Sequence, residues 1–455
     1  MKTANRDDGA RSEPIFRNRS FWGLTVSQLL GSFNDNLFKQ LVLLLCLDHA
    51  MQAAGPSANA TTDRYQPIAL IMFALPWILF SGTAGFLSDR TSKQRGIVLF
   101  KSLEVVVMGC GLFAFLSGEL WPLLLTLFFM STQSAFFGPS KYGILPELFA
   151  ERDLPRINGI FQMTTFVAII IGFSSAGILK GLLPGQQGLA IVSVVSIVIA
   201  IIGAGAALLI RPTAAAQPAL KFGWSTVGVD AQNWRLIGQD RFLLGVLLAS
   251  ALFWFTGAIV QPAVNGLGRF DLGLSDARTS LLQACVSIGI AFGCLLSGRL
   301  SKKRIRFGLV RAGAWGIVLG LISLTALVYL PVSHRDVGVD SFSSLLVTAD
   351  RAEWLARLAL IELGLSAGIY IVPLQVTLQT VPPQEQKGRM IGTMNLVNWI
   401  GILLSAVSYG LFEWLRGSLR NAELVSLPSA TVFSVLAILI AAVAVFYRPG
   451  DRDLE

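Results

Sequence analysis

Long apolar stretches separated by short polar segments recur along the whole chain. Each holds about 20 residues, the length that an α-helix needs to cross a hydrocarbon core about 30 Å thick. Backbone groups must be paired within lipid, so runs of this length have to be helical. The pattern predicts twelve membrane-spanning helices, over residues 20–47, 67–88, 96–117, 120–137, 158–180, 188–210, 241–266, 279–298, 307–330, 354–380, 389–413 and 428–447.

The composition favours a membrane protein. Of 455 residues, 53% are hydrophobic and 14% are charged, whereas soluble domains carry about 25% charge. Such a chain is not disordered, and its composition argues against an ordinary soluble enzyme. We find no nucleotide-binding loop, Ser/His/Asp arrangement or metal-ligand spacing, so we expect neither enzymatic activity nor a cofactor. The four cysteines lie inside apolar stretches and are interpreted as buried hydrophobic residues: Cys46, Cys110, Cys285 and Cys294.

The distribution of positive charge predicts the orientation. The formal net charge is +9, and the loops on the N-terminal side of the membrane carry well over half of the Lys and Arg residues. By the positive-inside rule, both termini should lie in the cytoplasm. The basic excess is therefore expected to face anionic headgroups, not nucleic acid.

A weak internal repeat divides the chain into two sets of six spans. The sequence GFLSDRTSKQRG at 85–96 returns as GRLSKKRIRFG at 298–308, and a polar segment at 211–240 separates the halves. Parallel repeats are typical of transporters whose halves rock around a midplane cavity. Chance similarity between Gly-rich helices is the alternative. The predicted domains are a cytoplasmic tail (1–19), an N-terminal bundle (20–210), a cytoplasmic linker (211–240), a C-terminal bundle (241–447) and a second tail (448–455).

The loop at 85–95 reads GxLxDRxxKxR and resembles the cytoplasmic signature of the major facilitator superfamily. We expect Gly85 to allow close helix contact. Asp89, Arg90 and Arg95 would form a conformational latch between helix ends. Lys302 occupies the Asp position in the second copy, which predicts a weaker latch there. The alternative is a solvated basic turn.

Span 1 carries an unusual number of polar residues for a membrane helix. Charges at membrane depth are costly and usually mark a pathway or a partner. Gln28, Ser32, Asp35 and Lys39 are spaced by four, three and four residues, which places them on one helical face, and Asp35 and Lys39 form an i, i+4 pair. The alternative is a charge pair that only locks helix packing. The candidates in this span are Gln28, Asn34, Asp35, Asn36 and Lys39.

The segment FFGPSKYGILPEL at 136–148 lies where span 4 is expected to end. Gly138 and Pro139 are predicted to break the helix, and Lys141 should then lie near the headgroups with Tyr142 beside it. A cation and an aromatic ring at this depth suit a phosphate and its acyl chain. Ordinary snorkelling of Lys141 is the alternative.

Other polar residues in spans are weaker candidates. Lys101 and Glu104 form an i, i+3 pair that we interpret as structural. Glu362 shares a face of span 10 with Ser366 and Tyr370 and should lie towards the outer side. Four amides either line a cavity or bind helices together: Gln162, Gln261, Asn395 and Asn398.

Three segments together resemble the lysophospholipid transporter branch of the major facilitator superfamily: FNDNLFK (33–39), SAFFGPSKYGILPEL (134–148) and NGIFQ (158–162). They are also similar to the transporter part of fusions with an acyltransferase and an acyl-carrier-protein synthetase. The resemblance implies inward movement of lysophosphatidylethanolamine across the inner membrane for re-acylation. It also implies that Asp35, Asn36 and Lys141 belong to the substrate pathway. In span 7, where some members carry an arginine, this chain has Gln261 followed by Pro262.

We therefore predict an all-α membrane protein with twelve helices in two pseudo-symmetric bundles. It would act as a monomeric lysophospholipid flippase of the bacterial inner membrane by alternating access, with an acyltransferase as a partner. The headgroup would enter a polar cavity around Asp35, Asn36, Gln162 and Gln261. One alternative is a proton-coupled exporter of drugs or other amphipathic solutes. Another is a non-transporting protein that docks an acyltransferase through the 211–240 linker.

Overall fold

The computed structural model describes residues 15–54, 64–149, 154–215, 218–219, 240–301, 304–329, 350–380, 387–422, 424–425, 427–447 and 452–453. This part of the chain is almost entirely helical. Its long helices are α1 (Arg19–Ala54), α2 (Gln66–Arg90), α3 (Lys93–Ser117), α4 (Leu120–Gly143), α5 (Leu154–Leu182), α6 (Gly185–Ala207), α7 (Arg241–Gly266), α8 (Asp276–Ser301), α9 (Phe307–Leu327), α10 (Arg351–Thr380), α11 (Lys387–Asn421) and α12 (Thr431–Phe446).

Each of the twelve predicted spans coincides with one of these helices, which confirms the predicted fold class. Within the described residues, ten helices are long and apolar enough to cross a membrane, and α12 is apolar but shorter. The remaining helix, α1, carries the charged residues Asp35, Lys39 and Asp48. Its polarity marks α1 as a helix that must be surrounded by other helices.

The predicted break in span 4 is wrong. Helix α4 continues through Pro139 to Gly143, and a single turn at Leu145–Leu148 follows it. A proline lacks the backbone N–H group and so removes one helical hydrogen bond, which neighbouring groups in a membrane bundle can compensate. As a result, Lys141 lies within the helix and not beyond its end.

The chain forms two compact units. The first contains Met1–Lys39, Leu75–Gly172 and Leu183–Gly228, and the second contains Gln40–Ala74, Phe173–Leu182 and Val229–Glu455. The second unit therefore includes one end of α1, α2 and α5 together with α7–α12. The predicted division at the 211–240 linker stays a prediction.

In the first unit, α1 packs against its neighbours through glycine. A Cβ on Gly23 would lie 2.7 Å from the carbonyl oxygen of Ala206 in α6, and one on Gly172 would lie 2.9 Å from that of Phe33. Small residues let membrane helices approach this closely. The polar side chains of α1 that belong to this unit contact α3, α4, α5 and α6.

In the second unit, α8 and α10 are joined by glycines from both sides. A Cβ on Gly293 would lie 2.1 Å from the carbonyl oxygen of Leu365, and one on Gly364 would lie 2.1 Å from that of Val286. Beyond α8, Arg304–Ile305 pairs antiparallel with Arg452–Asp453, with Arg304 opposite Asp453. The short strand pair ties the end of the chain to the loop that follows α8.

Candidate functional site

The first unit contains a cluster of ionisable side chains from α1, α3 and α4. We call Asp35, Lys39, Lys101, Glu104 and Lys141 the charge cluster. Asp35 and Lys39 lie one turn apart on α1, and Lys101 and Glu104 lie one turn apart on α3. Helical spacing therefore places each pair on one face of its own helix, and packing of the helices brings the pairs together.

Lys101 and Glu104 form a buried ion pair, as the sequence predicts. The Lys101 Nζ lies 2.6 Å from Glu104 Oε2, and both side chains are 2% exposed. Asn34 donates to Glu104 Oε1 at 3.3 Å and to the carbonyl oxygen of Ser196 at 3.0 Å. The carboxylate is thus bound on both oxygens, and the amide of Asn34 connects α1 to α3 and α6.

Gly31 allows the Lys101 ammonium group to reach the α1 backbone. A Cβ at Gly31 would lie only 1.9 Å from Lys101 Nζ, so any other residue would displace it. Gly31 precedes Asp35 by one turn and lies on the same face of α1. The glycine therefore keeps a cation next to Asp35.

The two carboxylate oxygens of Asp35 differ in their hydrogen bonding. Ser134 on α4 donates to Oδ2 at 2.7 Å, while Oδ1 is buried and has no hydrogen-bond partner within the described part of the chain. Lys101, Lys141 and Glu104 interact electrostatically with Asp35, as does Lys39. Three ammonium groups thus accompany two carboxylates, which leaves an excess of positive charge beside an unsatisfied acceptor.

Lys141 belongs to this cluster. Its Nζ lies 4.5 Å from the ring centroid of Tyr142 and 5.7 Å from that of Phe137. The Lys101 Nζ lies 4.7 Å from the same Phe137 ring. Aromatic faces attract cations within about 6 Å, so Phe137 helps to hold both ammonium groups near Asp35.

The amides of α1 and α5 differ in their contacts. Gln28 donates to the carbonyl oxygen of Phe161 at 2.8 Å and to Thr165 Oγ1 at 2.7 Å, which joins α1 to α5. Asn36 donates to the Ser32 carbonyl oxygen of its own helix at 2.7 Å. The side chain of Gln162 lies outside the described residues, as do Lys302 and most of the 211–240 linker.

Two of the predicted amides in the second unit are largely buried. Ser250 donates to Asn398 Oδ1 at 3.2 Å, which joins α7 to α11. The Nε2 of Gln261 is buried without a hydrogen-bond partner in the described residues, whereas Asn395 is exposed. Gln261 therefore keeps an unsatisfied donor, and Asn398 acts in helix packing.

Glu362 contacts a glycine face of the neighbouring helix. Ser366 donates to Glu362 Oε1 at 2.8 Å, and a Cβ on Gly320 of α9 would lie 2.6 Å from Oε2. Tyr370 instead donates to the carbonyl oxygen of Ala249 at 3.0 Å. Glu362 and Tyr370 thus share a helix but take part in different contacts.

The second unit contains four charged residues that the sequence analysis did not connect. Arg269 binds Asp48 at 2.9 Å and Asp276 at 2.8 Å. Lys180 binds Asp48 at 2.5 Å and also binds Asp276. Opposite charges alternate around this ion ring, as we call it. The ring joins α1 and α5 to α8 and to the short helical turn Leu267–Asp271 that follows α7.

A group of buried amides accompanies the ion ring within the second unit. Gln40 of α1 and Gln283 of α8 each donate to Asn265 Oδ1 at 3.0 Å. Asn265 in turn donates to Gln66 Oε1 at 3.0 Å. These contacts join α1, α2, α7 and α8.

Replacing Lys180 by methionine should destabilise the protein, because Asp48 and Asp276 would lose a shared cation. A hydrogen bond to a charged group contributes about 1.5–3 kcal/mol. The midpoint of thermal aggregation in detergent should therefore fall. Arg351→Gln is the matched control, because Arg351 is exposed at a helix start. Equal midpoints for the two variants would contradict a stabilising role of the ring.

The predicted latch is not formed as expected. A Cβ at Gly85 would meet open space, so the expected close helix contact is wrong in this structure. Asp89, Arg90 and Arg95 are exposed, and none of them has an ion-pair partner within the described residues. Asp89 and Arg90 are the last two residues of α2.

The neighbouring basic residue of the motif, Lys93, makes the ion pair instead. Its Nζ lies 2.5 Å from Glu147 Oε1, with the Lys93 side chain 6% exposed. Arg211 donates to the carbonyl oxygen of Glu147 at 2.8 Å. Glu147 belongs to the segment 136–148, so this segment is connected to the α2–α3 loop and to the residues after α6.

Metal binding has no candidate site in the described residues, where no group of three or more His, Cys, Asp or Glu side chains is close enough to hold an ion. The four cysteines are free thiols.

Comparison with known proteins gives consistent results. The chain is 27% identical over 416 residues to the lysophospholipid transporter LplT of Escherichia fergusonii, which covers 88% of this chain and 91% of that protein. It is 26% identical over 427 residues to the protein of the same name from Escherichia coli O1:K1, with the same coverage.

Solved structures with the same fold are also transporters. A bacterial homologue of the human lysosomal transporter Spinster matches with a TM-score of 0.65 and 15% identity, covering 96% of this chain and 97% of the other. A POT family transporter matches with a TM-score of 0.64 and 13% identity, covering 94% and 96%. The family model described as Major Facilitator Superfamily matches residues 42–406. The chain belongs to the major facilitator superfamily of membrane transporters.

Proposed function

We propose that this transporter flips lysophospholipids across the bacterial inner membrane by alternating access. The observation that carries the proposal is the charge cluster, where Asp35 Oδ1 is buried among three lysines without a hydrogen-bond partner in the described residues. This arrangement offers one acceptor and an excess of positive charge. A headgroup that bears both an ammonium and a phosphate group matches it.

The two ends of the headgroup would bind different residues. The substrate ammonium group would donate to Asp35 Oδ1, and the phosphate would lie near Lys141 and Lys101. Hydrogen bonds between charged groups are about twice as strong as neutral ones. Asn36, Gln162 and Gln261 would contact the headgroup elsewhere along its path.

The acyl chain needs little from the protein. It can remain against lipid or apolar helix faces while the headgroup crosses, so its transfer costs little. Moving an unpaired charged group into hydrocarbon would be prohibitive without partners. Shielding the headgroup is therefore the main task of the protein, and a buried charge cluster performs it.

The relatives support the choice of substrate. Two of them are named lysophospholipid transporter and match most of this chain. Their substrate also agrees with the motifs around Asp35 and Lys141.

We infer the orientation of the chain in the membrane from its Lys and Arg residues. The basic loops would then face the cytoplasm together with both termini. The functional unit would be a monomer. Lysolipids delivered to the inner leaflet need a second acyl chain, so an acyltransferase would act as the partner.

Transport by purified protein in liposomes tests the function. Labelled lysophosphatidylethanolamine should become protected from an external lipase or quencher faster than in empty liposomes, while a diacyl phospholipid should not. A pH-sensitive dye in the same liposomes measures proton movement. Proton-driven movement of a soluble dye without lysolipid flipping would favour an exporter and contradict the proposal.

A further inference from the structure

We propose that the protein has a second lipid site, separate from the charge cluster, that binds the phosphate headgroup of an anionic membrane phospholipid. The site is a groove at the α2–α3 loop with Arg90 and Arg95 as its cationic residues. We call it the arginine groove. It belongs entirely to the first unit.

The groove is a cavity of about 580 Å³. Its walls come from the end of α2, the start of α3 and the segment that follows α6. The isolated bridge between Ser92 and Ala215 holds these parts together. The residues most relevant to a ligand are Arg90, Thr91, Ser92, Arg95, Leu99 and Thr213.

The charge of the groove is uncompensated in the described residues. Arg90 and Arg95 are exposed and have no carboxylate within ion-pair distance there, although the Arg90 guanidinium lies 5.7 Å from the Phe86 ring centroid. Lys93 in the same loop differs, because Glu147 neutralises it. Two planar guanidinium groups suit a phosphate, which they can bind through paired hydrogen bonds.

Polar groups beside the arginines add donors. The Thr213 Oγ1 is buried without a hydrogen-bond partner in the described chain, and Thr213 lines the groove. Ser92 caps α3 by accepting from the Arg95 N–H group at 3.5 Å, so the positive end of α3 also points here. Together these groups describe a site for an anion.

The neighbouring face of α3 favours a lipid over a soluble anion as the ligand. Leu99 lines the groove and is 54% exposed, and Leu103, Val106 and Phe113 continue the exposed apolar face at 42%, 61% and 75%. These residues follow helical spacing and form a track along α3. A phosphate held by the arginines would thus have its acyl chains beside this track.

Binding of fluorescent phosphatidylglycerol to purified protein in neutral detergent micelles tests the proposal. The Arg90→Gln/Arg95→Gln variant should bind roughly thirtyfold more weakly, because each basic side chain at a lipid surface contributes several-fold. Arg299→Gln/Arg306→Gln is the matched control. Both control residues are exposed and lie beside the corresponding loop after α8, so this variant should bind like the wild type.

A second variant tests the apolar part of the site. Leu103→Gln should weaken phosphatidylglycerol binding and leave both arginines in place. Inorganic phosphate should compete only at far higher concentrations than the lipid. Unchanged lipid binding by the double arginine variant, or competition by phosphate as potent as by lipid, would overturn the proposal. If the double arginine variant does not elute as a monodisperse protein, the Leu103→Gln variant decides the test instead. Lipid binding by Leu103→Gln as strong as by the wild type would likewise overturn the proposal.

Discussion

Replacing Asp35 by asparagine should lower the rate of lysophosphatidylethanolamine flipping by roughly tenfold or more. The change keeps the size of the side chain and its bond from Ser134 but removes the negative charge that would bind the substrate ammonium. A hydrogen bond to a charged group contributes about 1.5–3 kcal/mol, and about 1.4 kcal/mol corresponds to a factor of ten in rate. Flipping in liposomes with equal amounts of folded protein provides the measurement.

Glu119→Gln is the control for this variant. This control also replaces a carboxylate by an amide. Glu119 precedes α4, and its side chain makes no capping hydrogen bond and is exposed. Its flipping rate should equal that of the wild type. A wild-type rate for Asp35→Asn would show that the unpartnered oxygen takes no part in transport.

Replacing Glu104 by glutamine should have the largest effect on folding. Lys101 would stay buried without its carboxylate, and removing one partner of a buried ion pair costs about 3–5 kcal/mol. The yield of monodisperse protein and its thermal midpoint should both fall. Exposed Glu119→Gln again serves as the control.

A double replacement separates the folding role from the electrostatic role of this pair. Lys101→Met/Glu104→Leu removes both charges and leaves apolar side chains of similar volume, a change that is often neutral or stabilising. The double variant should therefore recover the thermal midpoint. If it were as unstable as Glu104→Gln alone, the destabilisation would not arise from an unpaired lysine.

The sequence was sufficient to predict the helices and the ion pair within α3. Long apolar runs have one solution in lipid, so all twelve spans were found. The polar residues of α1 were singled out because charged groups such as Asp35 and Lys39 are too costly in a membrane to be incidental, and their part in transport stays a prediction. Lys101 and Glu104 were paired correctly because they lie one turn apart on one helix.

Contacts between helices could not be predicted from the sequence. The hydrogen bond from Ser134 to Asp35 and the position of the Lys101 ammonium group next to Gly31 depend on how α1 crosses α3 and α4. No local sequence pattern specifies this crossing. The ion ring joins residues as distant as Asp48 and Arg269. The continuation of α4 through Pro139 was missed because proline usually ends a helix, whereas a membrane bundle tolerates it.

The most direct test of the charge cluster compares two headgroups. Lysophosphatidylethanolamine carries an ammonium that can donate to Asp35 Oδ1, whereas the quaternary ammonium of lysophosphatidylcholine has no N–H group. Competition between the two lipids in liposomes should show that the wild type prefers the ethanolamine headgroup by roughly tenfold. The same assay should show that Asp35→Asn has lost this preference. Equal transport of both lipids by the wild type, or an unchanged preference in the variant, would contradict the account.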